Sequence, residues 1–197
     1  MEEIKQAAAE LFATRPYHEI TLTTIAEKLT WTRANLYKYV TTKEEVFLSL
    51  AKDERDAYYV DLLSSFEQGR TYNASEAAEI WANVMDRNRE FFRLHDLLFT
   101  IIETNVSLEC LVDFKRGYYE QVETLSTRLS AAAGVDAEQV EHLMNTLHYH
   151  AVGIVSNCCD LSQVREALAV LNVDYQPVDF RAEMTAFTEM CLRGMQD

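Results

Sequence analysis

The scarcity of chain-breaking residues is the feature that most limits what this chain can fold into. Its 197 residues include two prolines and five glycines. Tight turns between short strands depend on these two residue types, because proline presets one backbone dihedral angle and glycine reaches positive φ. The composition therefore disfavours an all-β protein with many turns. Apolar residues make up 48% of the chain, which is enough for a buried core and excludes a disordered protein.

Apolar residues recur at helical spacing along nearly the whole chain. Ile4, Ala8 and Leu11 form one face of a first helix, and Thr21 is placed to cap a second. Capping boxes are predicted for Thr41 with Glu44, Thr42 with Glu45, Asn73 with Glu76, and Asp136 with Gln139. No alternation typical of strands is found. The sequence therefore predicts an all-α fold with about nine or ten helices.

The same pattern predicts where three of these helices begin or end. The third helix is expected to hold Leu36, Tyr37 and Val40. A single helix is expected to run from Asn73 to about His95, and a long helix that starts near Leu108 is expected to end at Gly134.

The charge of the chain is strongly acidic but unevenly distributed. The net charge of −14 at first argues against a nucleic-acid partner. Residues 15–43, however, carry five basic and two acidic side chains, a net +3, whereas residues 51–197 carry 12 basic and 25 acidic ones, a net −13. A local basic window is the electrostatic pattern of a DNA contact. A solvated helical face would give the same pattern.

The first fifty residues have the layout of a helix-turn-helix, with Thr30–Trp31–Thr32 between two short helices. Their residue order is more informative: Leu11-Phe12, Tyr17, Thr21 with Ile25-Ala26, Leu36-Tyr37 and Lys43-Glu44. In this order these residues resemble the N-terminal domain of the TetR (tetracycline-repressor) family of bacterial regulators, over about residues 4–50. The resemblance implies a DNA-binding domain at residues 1–48 and an effector-binding and dimerisation domain at residues 49–197.

The resemblance also implies that DNA is contacted from helices two to four. Arg33 and Asn35 lie in the first turn of the third helix, where arginine can bind guanine and asparagine can bind adenine. Lys43 begins the fourth helix, where a phosphate is expected. The predicted DNA-binding set is Thr23, Thr32, Arg33, Asn35, Tyr37, Lys38, Tyr39 and Lys43. Two residues depart from the family pattern: Thr30 stands where glycine usually relieves a positive φ, and Pro16 stands where glycine is common.

A homodimer on a palindromic operator, released by a small-molecule effector, is a further implication. Two recognition helices about one DNA turn apart bind a palindrome more tightly than one helix does. Apolar stripes on two C-terminal helices suit a four-helix bundle across a two-fold axis. The predicted dimer residues are Leu143, Leu147, Ala151, Ile154, Phe180, Met184, Phe187 and Cys191. The alternative is that both stripes face the core of a single chain.

Effector candidates are polar or aromatic residues within apolar helices. They are Trp81, Met85, Asn88, Phe99, Glu103, Tyr118, Tyr119 and His148. Glu103 stands in a mostly apolar segment, where an unpaired carboxylate is costly. A cationic ligand would neutralise Glu103, and so would an ion pair with Arg87, Arg93 or Lys115. Such a pair within the protein is more frequent than a ligand contact. Aromatic residues are likewise more often core than pocket.

No catalytic, cofactor or metal site is predicted. His142, His148 and His150 lack the i,i+4 spacing of metal ligands, and no H-E-x-x-H, G-x-G-x-x-G or P-loop occurs. Cys158 and Cys159 are adjacent, without a C-x-x-C motif, so reduced thiols are expected. The absence of a long apolar run and of a secretory signal predicts a cytoplasmic protein with no membrane partner.

Two other functions are compatible with the sequence. One is an all-α protein-interaction module whose acidic surface contacts a basic partner and which has no affinity for DNA. The other is a helical enzyme or binding protein that keeps a vestigial helix-turn-helix. The unusual turn residues fit this last possibility.

Overall fold

The computed structural model describes residues 1–156, 162–174 and 176–196, and in these residues it contains helices and no strands. The α-helices are α1 (Glu2–Phe12), α2 (Leu22–Lys28), α3 (Arg33–Leu36), α4 (Lys43–Ser65), α5 (Ala74–Arg87), α6 (Arg89–Leu97), α7 (Leu108–Ala133), α8 (Ala137–Val155), α9 (Ser162–Val170) and α10 (Phe180–Gln196). A 3₁₀ turn at Tyr17–Glu19 precedes α2, and a π-helical segment, Leu98–Ile102, and a second 3₁₀ turn, Glu103–Asn105, follow α6. The predicted all-α class is confirmed.

Side-chain caps begin three helices as the sequence predicts. The backbone N–H groups of Thr24, Glu76 and Gln139 donate to the side chains of Thr21, Asn73 and Asp136. Gly134 follows α7 with φ of +70°, a conformation that glycine adopts without strain. These boundaries are local in origin, because each is determined by residues three or four positions apart.

The start of α4 differs from its prediction. The Glu45 N–H donates to the Thr42 hydroxyl, and the Glu45 carboxylate accepts from the Thr41 N–H. Glu44 does not cap Thr41. Its carboxylate accepts a hydrogen bond from the Tyr17 hydroxyl at 2.8 Å, because the 3₁₀ turn packs against this end of α4.

Two helices are shorter than their apolar spacing predicts. α3 ends at Leu36, with Tyr37 as its C-cap. The predicted helix from Asn73 to His95 is interrupted at Asn88, whose φ of −111° and ψ of 35° leave the helical region. The Asn88 side-chain amide donates to the Val84 carbonyl and to Asp61, both at 2.8 Å. These bonds stabilise the interruption, and periodicity alone does not reveal them.

The chain divides into two compact units. Unit 1 comprises Met1–Asp56 and Leu94–Glu120, and unit 2 comprises Ala57–Arg93 and the described part of Gln121–Asp197. In unit 1, the helix-turn-helix residues share one core with Leu94, Leu98, Ile102 and Phe114. The core of unit 2 is built around Trp81, Phe91, Phe92, Leu143 and Phe180. The functional boundary after residue 48 stays a prediction.

The apolar stripes of α8 and α10 face the interior of unit 2, which corrects the expected dimer contacts. The buried members are Leu143, Leu147, Ala151, Phe180 and Met184, each at most 1% exposed. A side chain buried within one chain offers no surface to a second copy, so these five cannot form the dimer contact. Ile154, Phe187 and Cys191 are half-buried.

The cysteines, the candidate metal ligands and the possible membrane spans can each be compared with the structure. Cys110 and Cys191 are free and partly buried, and Cys158 and Cys159 lie outside the described residues. No group of His, Cys, Asp or Glu suited to a metal ion occurs in the described residues. Across this same part of the chain, no helix combines the length and apolarity that a membrane span needs.

Candidate nucleic-acid interface

The turn between α2 and α3 adopts the strained conformation that its sequence predicts. Thr30 has φ of +58°, a region that β-branched residues rarely occupy. The Trp31 N–H closes the turn by donating to the Ala26 carbonyl at 2.8 Å. The Trp31 side chain packs against the core of unit 1, and its ring lies 5.7 Å from that of Tyr39. The bulky Trp31 side chain is therefore accommodated against this core and beside Tyr39.

α3 directs one side chain inward and the others towards solvent. Leu36 is fully buried, whereas Thr32 and Arg33 are exposed and Asn35 is half-buried. The Thr32 hydroxyl accepts from the Asn35 N–H at 3.2 Å and so caps the helix. The residues predicted to read bases therefore lie at the accessible N-terminal end of α3.

The residues after α3 extend this surface. Tyr37 and Tyr39 are 49% and 53% exposed, and Lys38 is exposed beside them. No described carboxylate forms a salt bridge with Arg33 or Lys38, whereas Lys28 pairs with Glu10 at 2.8 Å. The positive charges of Arg33 and Lys38 are therefore available to an anionic partner.

Lys43 has a structural role that the sequence prediction missed. Its ammonium donates to the carbonyls of Tyr17 and Ile20 at 3.0 and 2.9 Å, and it lies 3.9 Å from the centre of the Tyr17 ring. Burial lowers the pKa of Lys43, and the neighbouring Glu44 opposes this shift. Lys43 thus joins the 3₁₀ turn to the start of α4. Thr23, the remaining predicted contact, is half-buried on α2.

The effector candidates divide between the two units. Trp81, Met85, Asn88 and His148 belong to unit 2, and Phe99, Glu103, Tyr118 and Tyr119 belong to unit 1. Trp81 and Met85 are core residues, at most 1% exposed, and the Trp81 indole N–H donates to the Tyr58 hydroxyl at 3.1 Å. Phe99 and Tyr119 are instead 48% and 67% exposed.

Glu103 has a protein partner. Its carboxylate lies 2.6 Å from the Lys115 ammonium on α7. The ammonium also lies 5.6 Å from the centre of the Phe99 ring. The structural pair favoured by the sequence is confirmed, so the burial of this carboxylate needs no ligand cation.

His148 is packed among aromatic rings. Its ring centre lies 5.4 Å from that of Phe91 and 5.9 Å from that of Phe92. Burial lowers the pKa of His148 to about 4. Since an unfolded histidine has a pKa of about 6.5, the unfolded chain binds more protons between these values. Stability from this residue is therefore lost as the pH falls from about 6.5 towards 4, and the loss is about 2 kcal/mol at pH 5.

The variant His148→Phe should lack this contribution. The difference in unfolding free energy between wild type and His148→Phe should change by about 2 kcal/mol between pH 7.5 and pH 5 in urea titrations. His142→Phe, at an exposed position of α8, is the matched control and should show no such change. A pH-independent difference for His148→Phe would show that the pKa of His148 is the same in the folded and unfolded chains.

Comparison with known proteins identifies the family. Residues 4–50 match the bacterial regulatory proteins of the tetR family, and residues 52–197 match the tetracyclin repressor-like C-terminal domain. The chain belongs to the TetR family. It is therefore a DNA-binding transcriptional regulator, and its TetR-family N-terminal domain contains the exposed α3.

Solved structures of TetR-like regulators share the fold. The fatty acid degradation regulator FadR from Bacillus halodurans has a TM-score of 0.61 and 15% identity, over 99% of this chain and 95% of that one. A tetR-family regulatory protein from Rhodococcus RHA1 has a TM-score of 0.60 and 15% identity, over 98% and 95%. A TetR/AcrR regulator from Thermobifida fusca has a TM-score of 0.55 and 17% identity, over 98% and 96%. No curated protein sequence matches the chain.

Proposed function

We propose that this TetR-family protein is a homodimeric repressor that binds a palindromic operator and is released by a small-molecule effector. The observation that carries the proposal is the exposed surface formed by α3 and the residues after it, where Arg33 and Lys38 have no carboxylate partner among the described residues. Arg33 offers the paired N–H groups that match O6 and N7 of guanine, and Asn35 suits adenine. Lys38 and the exposed Tyr39 contact phosphates.

The charge of α1 favours one direction of approach. Glu2, Glu3 and Glu10 line a surface groove with Lys28, whose charge is already paired. Acidic side chains repel phosphates, so DNA approaches unit 1 from the α3 side.

Operator binding should respond differently to loss of a base contact and loss of a phosphate contact. Arg33→Ala should remove about 1–3 kcal/mol of discrimination at one base pair of each half-site. Lys38→Ala should weaken all sequences alike and reduce the salt dependence by about one phosphate contact. The measurement is fluorescence anisotropy with duplexes from the promoter region beside its own gene, at several salt concentrations.

The control for these variants is Arg116→Ala, which removes an exposed arginine on α7 that pairs with Asp113. It should leave operator affinity unchanged. The proposal fails if the wild type shows no salt-sensitive binding to any palindrome in this DNA, or if Arg33→Ala weakens all base sequences equally.

Dimerisation is proposed through the outer faces of α8 and α10, opposite their buried stripes. Gly153 and Gly194 lie within these helices, and a Cβ added at either would meet no atom within 4 Å. Glycine inside a helix costs about 1 kcal/mol relative to alanine, and nothing in the described chain requires it here. Tyr149 and Met190, each four residues before one of these glycines, are 65% and 61% exposed. These features support close packing of a second copy.

The double variant Gly153→Leu/Gly194→Leu should be monomeric in sedimentation velocity at about 10 μM, where the wild type should be dimeric. Leucine at both positions fills the space that a partner helix needs, while open space around both sites preserves the single chain. Ala57→Leu, at an exposed site of α4, is the control and should remain dimeric. A monomeric wild type, or a dimeric double variant, would rule out this interface.

Effector release is proposed to act through segment 94–120. Leu94, Leu98, Ile102 and Phe114 share the core of the helix-turn-helix, so a displacement of this segment changes the packing of the DNA-binding helices. A coupling free energy of about 1–3 kcal/mol would lower operator affinity about 5- to 150-fold. A ligand-bound structure, with operator affinity measured in the same conditions, tests this proposal.

A further inference from the structure

α3 contains only four residues, Arg33–Leu36, and anchors itself to the core through one of them. A helix this short gives its long side chains little orientation. An arginine side chain has many rotamers, and part of this conformational freedom is lost when its guanidinium is held against a base. Precise reading by Arg33 therefore benefits from a neighbour that orients it before DNA binds.

Tyr37 is placed to be that neighbour. It follows Arg33 by four residues, which puts both side chains on the same side of the chain. The Arg33 Nη2 donates to the Tyr37 hydroxyl at 3.3 Å, and the guanidinium carbon lies 5.9 Å from the centre of the tyrosine ring. No described carboxylate forms a salt bridge with Arg33, so no ion pair turns it away from this position.

Tyr37 belongs to the predicted DNA-binding set, and its alternative role there is a phosphate contact. Its ring is 49% exposed, and it follows α3 rather than anchoring it to the core. The hydroxyl accepts from Arg33 and has its own hydrogen to donate. The two roles differ in what they recognise, since a phosphate contact is the same for every sequence and an oriented arginine favours one base.

We propose that Tyr37 is a positioning residue that orients Arg33 for recognition of guanine in the operator. The proposal rests on the proposed function and names the residue that sets the geometry of its guanine contact. The tyrosine hydroxyl engages one of five guanidinium N–H groups. The others remain free for O6 and N7 of the base.

The test compares guanine with 7-deazaguanine, which lacks the N7 acceptor. A palindromic duplex is first selected with wild-type protein from a random library, and each guanine in a half-site is then replaced in turn. Dissociation constants are measured for the wild type, Arg33→Ala, Tyr37→Phe and Tyr39→Phe. Tyr37→Phe keeps the ring and removes only the hydroxyl, and Tyr39→Phe is the matched control at a similarly exposed tyrosine.

The wild type should lose about 5- to 150-fold in affinity at one guanine of each half-site, and Arg33→Ala less than about 2-fold at that position. Tyr37→Phe should bind the deaza duplex about as tightly as the wild type does and should bind the guanine duplex more weakly. The affinity lost on removing N7, which is the N7 penalty, should therefore be several-fold smaller for Tyr37→Phe than for the wild type. Tyr39→Phe should keep the full wild-type penalty. This dependence on a single base atom is a readout that loss of stability would not produce.

Three outcomes would overturn the inference. Equal weakening of both duplexes by Tyr37→Phe would assign Tyr37 to a phosphate, and an unchanged N7 penalty would remove its link to Arg33. A wild-type protein insensitive to every deaza substitution would show that Arg33 does not read guanine, while its binding to the duplex keeps the proposed function intact. Failure of the wild type to select any duplex would refute both.

Discussion

Replacing Trp81 by alanine should lower the free energy of unfolding by about 4 kcal/mol. The indole is 1% exposed in the core of unit 2, and its ring lies 5.9 Å from that of Phe66. The substitution removes this packing and leaves a cavity. It also removes the indole N–H that donates a hydrogen bond to the buried Tyr58 hydroxyl. Chemical denaturation followed by circular dichroism at fixed protein concentration measures the loss.

This experiment also separates a core tryptophan from one that lines an effector pocket. A ring that faces an open pocket loses little packing on truncation, so a loss below about 1.5 kcal/mol would restore Trp81 as a pocket residue. Phe99→Ala is the control, because Phe99 is an effector candidate that is 48% exposed. It should cost less than about 1 kcal/mol.

Gly117→Val should lower the free energy of unfolding by about 3 kcal/mol, against the usual gain from replacing a glycine inside a helix. A Cβ at Gly117 would lie 3.0 Å from Nη2 of Arg55. Arg55 is 1% exposed and is held by hydrogen bonds to Asp56 and to the Phe114 carbonyl, the latter at 3.0 Å. Its guanidinium cannot move aside without losing these bonds inside unit 1.

A double-variant cycle tests this explanation. Arg55→Met keeps an unbranched side chain and removes the guanidinium, so the cost of Gly117→Val can be compared with and without it. In the Arg55→Met background, Gly117→Val should cost less than about 1 kcal/mol, because the flexible thioether yields to the added methyl groups. Equal costs in both backgrounds would show that Arg55 is not the source of the strain.

The sequence predicted those parts of the fold that depend on neighbouring residues. The caps at Thr21, Asn73 and Asp136 were predictable because a cap and its partner lie three residues apart. The resemblance implied the positive φ of Thr30, because Thr30 stands where the family usually has glycine. The exposed start of α3 agrees with the resemblance over residues 4–50. Family membership, which the comparisons show, was therefore readable from the local pattern.

Tertiary contacts decided the features that involve residues far apart in sequence. An apolar stripe shows that one side of a helix is buried but does not name the surface that covers it. α10 packs against α5 and α8 of its own chain, so the stripes first assigned to a dimer belong to the core. The same holds for Lys115 beside Glu103 and for the carbonyls that hold Lys43. By itself the sequence determined the all-α class, the caps of three helices and the local basic window, because periodicity, capping and charge are local properties. Only the tertiary structure decided which of these faces and charges stay exposed, because burial depends on every element that folds against a residue.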